Sequence, residues 1–206
     1  MLCLKVATDS QWAAQALRRV GALLADHAHC EMKAASNALS LAARHPDDLN
    51  LVRALTDLAR EEIDHFQRVL SLLSARAVAL GPPPIDTYAA ELRRAANERP
   101  GDGPAARLVD RLLVAALIEA RSCERFKLLA AAADADGGDP ELGAFWAELL
   151  AAEAGHYRTF VDLAERAAGG ARALVAARLD ELAELEGAIV GRLTLRTESD
   201  RATIHG

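Results

Sequence analysis

Two stretches carry the same pair of metal-competent side chains at the same spacing. "REEIDHFQRVL" (60–70) holds Glu62 and His65, and "AAEAGHYRTFVDL" (151–163) holds Glu153 and His156. On a helix, residues three apart are separated by roughly 300° of rotation, so each Glu-x-x-His pair lies within about 60° on one face. In both cases that face is apolar. Glu62 shares it with Leu55, Leu58, Phe66 and Val69, and Glu153 with Trp146, Leu149, Leu150 and Phe160. A carboxylate directed into a helical core is costly unless it is paired or binds a metal. With 15 Glu and 6 His in the chain, chance gives roughly 0.4 such pairs, a composition-only figure. Two are present, each in the second helix of a helical hairpin.

A carboxylate-bridged dimetal site needs one further inward Glu from each remaining bundle helix. In "HAHCEMKAAS" only Glu31 qualifies. In "LIEARSCERF" there are two candidates, Glu119 and Glu124. In an antiparallel hairpin, residues at one height are about equally far from the turn. Glu31 is 15 residues before Pro46 and Glu62 is 16 after it. Glu119 is 19 and Glu124 is 14 before Gly138, with Glu153 15 after it. Height does not separate the two, but the helix face does. Glu119 shares a stripe with Leu112, Ala115, Ala116, Cys123 and Phe126. Glu124 lies roughly 140° off it, near Arg121 and Lys127. The set is Glu31, Glu62, His65, Glu119, Glu153 and His156, with Glu124 in reserve. Four hard carboxylates and two imidazoles suit iron or manganese and leave positions open for oxygen.

Other residues carry weaker signals. His27, one turn before Glu31, is placed to hydrogen-bond it or line the pocket. His29 points elsewhere and reads as solvated. Asp57, Asp64 and Glu61 read as helix-surface carboxylates. Tyr157 sits beside His156 and reads as packing or as redox-active. Cys123, one turn from Glu119, leaves room on the pocket side or is simply buried.

The elements that must position these groups are all helices. Ser10 is the expected N-cap of a first helix through about Ala25, running on or kinking near Asp26 into a helix that stops at His45-Pro46. Bundle helices are expected at about 22–45, 47–77, 105–133 and 140–168. A short helix lies in the crossover from Asp86 to about Asn97, and an extra one covers about 171–190. "GPPP" (81–84), "ERPGDGP" (98–104), "DADGGDP" (134–140) and Gly169-Gly170 are the breaks. Two tight hairpins joined by a long crossover, 78–104, give an all-α, ferritin-like four-helix bundle with added N- and C-terminal helices.

With 206 residues, 51 % of them hydrophobic, the chain reads as a single ferritin-like diiron domain, 1–206, able to build its core without disulfides. Its three cysteines form no CxxC pair, which suits a reducing, cytoplasmic setting. No signal peptide and no membrane span is expected. A net charge of −6 argues against bulk-charge binding of nucleic acid, though not against a local basic patch. Arg93, Arg94, Arg99, Arg107 and Arg111 cluster in sequence, followed by Arg121 and Arg125; solvated helix faces are the default for them.

Four strings, "DHAHCEMKAASNALSL", "LAREEIDHFQRVL", "LIEARSCERFKLLA" and "LLAAEAGHYRTF", together resemble the tRNA-(2-methylthio-N6-isopentenyladenosine) hydroxylase family. The resemblance covers about Leu23 to Leu163. Glu-x-x-His pairs are common to many ferritin-like proteins; "HCEMKAAS" and "IEARSCERF" are far more specific. The resemblance implies a non-haem diiron monooxygenase. It would hydroxylate the isopentenyl group of a hypermodified adenosine beside the tRNA anticodon, with two Fe ions, O2 and electrons from a reductase or ferredoxin-type donor. The six ligands fall where the family carries its own. Ala34, Ala35, Ala38, Ala115 and Ala116 flank them and would leave room for a prenyl group, and arginines at the pocket mouth would grip tRNA phosphates. A ferritin-like ferroxidase or peroxide-reducing protein is the alternative, since that class can use the same six ligands; a metal-free helical module is the third reading.

Overall fold

The computed structural model describes residues 2–98, 103–135 and 138–192. Its regular elements are seven α-helices: α1 (Trp12–Leu17), α2 (Val20–Ala43), α3 (Leu49–Ala75), α4 (Thr87–Asn97), α5 (Pro104–Ala133), α6 (Pro140–Ala167) and α7 (Arg172–Val190). The fold is all-α and ferritin-like. Its described residues cluster into two compact units: 18–85, and 2–17 with 86–192.

In the first of these, α2 and α3 pack as a hairpin. Pro46 ends α2, and Asp48 caps α3 by accepting from Asn50 N at 3.1 Å and Leu51 N at 3.0 Å, an arrangement worth about 1 kcal/mol. The α3 stripe of Leu51, Leu55, Leu58, Val69 and Leu73 is buried, with Glu62 and His65 among it. At the far end Ala77 turns left-handed (φ 53°) and Val78 N donates to Leu73 O at 2.9 Å. The segment after it returns along α2. A Cβ at Gly21 would lie 3.1 Å from Val78 Cγ2, and His29 Nε2 is 3.2 Å from the Gly81 carbonyl.

The other unit is built on the α5–α6 hairpin. Pro104 occupies the first turn of α5 and Pro140 that of α6; Asp139 caps α6 through Glu141 N and Leu142 N at 3.1 and 3.2 Å. Because α1, α4 and α7 also pack on α5, this helix is buried on nearly every side. Polar residues therefore reach the interior along its back: Asp110, Arg121, Glu124 and Arg125. Gly169 and Gly170, at φ +65° and +85°, make the left-handed turn into α7 that L side chains resist.

One expected feature differs. The first helix breaks at Arg18-Arg19 rather than near Asp26, and Arg19 (φ −123°, ψ 45°) stands outside helical geometry. No Pro or Gly marks the break. It falls where the chain leaves one compact unit for the other, α1 packing on α5 and α2 on α3. The extra helix expected at about 171–190 is present as α7 (Arg172–Val190) and is held by buried ion pairs. Arg178 Nε meets Asp110 Oδ1 at 2.8 Å, and its Nη2 donates to Asp110 Oδ2 at 3.2 Å and Ala96 O at 3.3 Å, joining α7 to α5 and α4.

Candidate metal centre

Glu31 on α2 and Glu62 and His65 on α3 are all buried. Each offers a ligand atom, and these atoms lie within 4.8 Å of one another. His65 Nδ1 is 3.5 Å from Glu31 Oε2 and 3.7 Å from Glu62 Oε2. His27 Nε2 stands 3.0 Å from the other oxygen of Glu31, the supporting role read for it in the sequence. Burial pushes the Glu31 carboxyl up, but the charge of His27 and hydrogen bonds with Glu62, His27 and His65 outweigh it and hold the group at about 2. Glu31 is thus a carboxylate at neutral pH, ready to ligate without first losing a proton.

The second triad repeats the chemistry. Glu119 on α5 and Glu153 and His156 on α6 are buried, with ligand atoms within 4.8 Å of one another. His156 Nδ1 lies 3.2 Å from Glu153 Oε2. Two turns along α6 from Glu153, Trp146 is wholly buried, stacked on Phe126 at 5.3 Å and tilted against Phe145 at 4.9 Å. This aromatic cluster closes the core of the hairpin toward its turn.

Glu124, the reserve candidate, is committed elsewhere. Its Oε1 accepts from Thr8 N at 3.0 Å and its Oε2 from Thr8 Oγ1 at 2.6 Å and from Arg121 Nη1. Arg121 in turn donates from Nε to Glu186 Oε1 and from Nη2 to Glu186 Oε2, both at 2.8 Å, and from Nη2 to Val6 O at 2.9 Å. Tyr88 OH donates to Glu186 at 2.9 Å. The charged residues of "IEARSCERF" thus divide by face: Glu119 to the ligand side, Arg121 and Glu124 to a buried hub on the other. The division predicts that Glu119→Gln lowers bound iron while Glu124→Gln keeps it and lowers the melting temperature. Metal analysis and thermal denaturation of the two variants check this, and the reverse pattern would exchange the assignments.

Cys123 Sγ lies 3.8 Å from Leu150 O. Burial, reinforced by the charge of Glu153, pushes its thiol up to about 12. The thiol is therefore neutral throughout the working pH range and does not compete as a thiolate. Because this pKa is raised above a thiol's ordinary value of 9.0, stability from keeping the thiol neutral is complete below that value and is lost as pH rises toward 12. In the folded protein, iodoacetamide at pH 8.5 should label Cys123 far more slowly than the half-buried Cys30; peptide mass mapping reads the ratio, and equal labelling would contradict this burial.

Tyr157 is half-buried, and burial together with a hydrogen bond to Cys3 pushes its phenol up. His29, expected to be solvated, is 3 % exposed: its partner is the Gly81 carbonyl, which side-chain periodicity does not register. Asp57, Glu61 and Asp64 are exposed, as read. Of the arginine cluster, Arg93, Arg94, Arg107 and Arg111 are exposed. Arg121 and Arg125 are interior, because α1 and α7 pack on the back of α5; Arg99 lies outside the described residues. The sequence reading missed Thr8, Tyr88 and Glu186, whose partners lie far away in the chain. No described helix is long and apolar enough to cross a membrane.

The model of the family described as tRNA-(MS[2]IO[6]A)-hydroxylase (MiaE) matches residues 1–199. A Pseudomonas putida protein named tRNA 2-(methylsulfanyl)-N(6)-isopentenyladenosine(37) hydroxylase is 41 % identical over 179 residues, covering 87 % of this chain and 83 % of the relative. A Salmonella typhimurium protein of the same name is 28 % identical over 208 residues, covering 77 % and 74 %. Among solved structures, a Synechococcus protein described as having aldehyde deformylating oxygenase activity superposes with a TM-score of 0.87 at 37 % identity, covering 100 % of this chain and 96 % of that one.

Proposed function

The chain belongs to the tRNA-(MS[2]IO[6]A)-hydroxylase (MiaE) family, and from that membership we propose how its residues serve the reaction. It is a hydroxylase of the isopentenyl side chain of 2-methylthio-N6-isopentenyladenosine, next to the anticodon in tRNA. The whole chain works as one diiron domain in the cytoplasm. The net reaction takes the C–H bond, O2, two electrons and two protons to the alcohol and water. The electrons come from an external reductase or ferredoxin-type donor.

The observation that carries the proposal is the repeated buried triad. Glu31, Glu62 and His65 from one hairpin and Glu119, Glu153 and His156 from the other would hold two irons, with carboxylates and imidazoles in the ratio that iron oxygen chemistry uses. Iron, when bound, would supply the O2 reduction and the attack on an allylic C–H bond of the isopentenyl group. The protein supplies the setting. His27 holds Glu31 in its ionised form. Cys123 stays a neutral, compact thiol. The Trp146–Phe126–Phe145 cluster keeps water from the core behind the second triad, which protects a reactive centre from side reactions. The small side chains of Ala34, Ala35 and Ala38 on α2 and of Ala115 and Ala116 on α5 would make room for a prenyl group. The adenosine lies in a loop, so its base can leave the stack and reach the protein.

The test is expression in a host that makes the prenylated, methylthiolated adenosine but does not hydroxylate it. Mass spectrometry of its tRNA nucleosides should then show that nucleoside heavier by one oxygen atom. Iron oxidation by the purified protein with no oxygen gain in tRNA would overturn the hydroxylase reading in favour of a ferroxidase.

A further inference from the structure

Arg125, in the string "IEARSCERF", has no role in either triad or in the Arg121 hub. It is 6 % exposed on α5. No hydrogen bond or ion pair joins it to any described residue, and its Nε is sealed from solvent. Its one organised contact is the ring of Trp12, with the guanidinium carbon 5.1 Å from the ring centroid. Two carboxylates are near, Glu124 and Glu186, but Arg121, Tyr88 and Thr8 occupy their oxygens. The local charges balance, two guanidinium groups against two carboxylates, while the hydrogen bonds do not. A guanidinium carries five N–H donors, and burying them without acceptors is costly. Burial accordingly pushes the Arg125 pKa down.

We propose that Arg125, backed by Trp12, is a seat for a phosphate-type oxyanion at the α1–α5 seam. The Trp12 ring offers the guanidinium a π-face and no oxygen acceptor. That planar fork matches two oxygens of a phosphate at once, which an ammonium would not. The seat is separate from the metal ligands and does not depend on the hydroxylase reading. Free phosphate and a phosphate of an RNA backbone present the same oxygens to it.

The experiment measures inorganic phosphate binding to the intact protein by calorimetry at constant ionic strength, with chloride as the reference salt. Arg125→Met, Arg125→Lys and the surface control Arg111→Met are compared. Wild type and Arg111→Met should bind phosphate saturably. Arg125→Met should lose at least about tenfold in affinity, with Arg125→Lys between. No binding by wild type, or equal binding by Arg125→Met, overturns the proposal. If Arg125→Met is poorly folded by circular dichroism, equal binding by Arg125→Lys and wild type overturns it instead. Competition with an anticodon stem-loop RNA identifies the source. Phosphate that weakens RNA binding to wild type but not to Arg125→Lys marks a backbone phosphate, and phosphate binding that leaves RNA affinity unchanged marks a free anion.

Discussion

Replacing His65 or His156 with alanine is expected to abolish oxygen gain in tRNA and to reduce bound iron. Each triad has only one imidazole, and removing it leaves two carboxylates to hold a metal. Loss of a group merely supporting a ligand costs about 10–100-fold in metal affinity or activity, and loss of the ligand should cost more. The fold should survive. Glu31 keeps His27 at 3.0 Å when His65 is gone, so at least one of the buried carboxylates retains a partner. His27→Ala is the graded control: it leaves all six ligands in place and should lower iron affinity by less. Iron per chain is the informative number. A fall from two toward one in either His variant means that each triad fills independently. A fall to none in both means that shared carboxylates join the irons. Full activity with full iron in either variant would remove that histidine from the ligand set.

This cluster of candidate ligands was legible because two independent regularities met on the same residues. The apolar period of α3 and α6 placed Glu62, His65, Glu153 and His156 on buried faces, and the Glu-x-x-His spacing repeated. The choice of Glu119 over Glu124 followed from helix rotation alone, and Glu124 does lie on the other face, bound to Arg121 and Thr8. What escaped the sequence was pairing at long range. Thr8 meets Glu124 across 116 positions, Tyr88 meets Glu186 across 98, and Arg178 meets Asp110 across 68. No local pattern encodes such partners, because each side chain by itself reads as an ordinary surface residue. The break at Arg18-Arg19 escaped for a related reason: it answers to tertiary packing and uses neither Pro nor Gly. His29 escaped because its partner is a backbone carbonyl, which any residue could have supplied.

Arg121→Ala should be the most destabilising single change away from the ligands. The guanidinium is 1 % exposed, and the carboxylates of Glu124 and Glu186 are 2 % and 0 % exposed. Removing the cation leaves two buried negative charges against the single guanidinium of Arg125, with only Tyr88 and Thr8 to hydrogen-bond them. Breaking a buried pair in this way costs about 3–5 kcal/mol. For a chain of this length each kcal/mol lowers the melting temperature by about 2–4 °C, so a fall of roughly 6–20 °C is expected. Arg172→Ala is the reference, since Arg172 Nε meets Glu165 at 2.9 Å with the arginine side chain 82 % exposed; such a pair is worth at most about 1 kcal/mol. If the two variants melt together, the hub is not a stability centre. The cause of a larger fall can be separated from lost packing. Arg121→Met keeps much of the side-chain volume and should be nearly as damaging, whereas adding Glu186→Gln to it, which leaves Glu124 against Arg125, should recover most of the loss. Recovery identifies uncompensated charge as the penalty, because neutral amides need no counter-ion. No recovery would assign the penalty to the packing of α5 against α7 and the N-terminal segment that Arg121 joins through Val6.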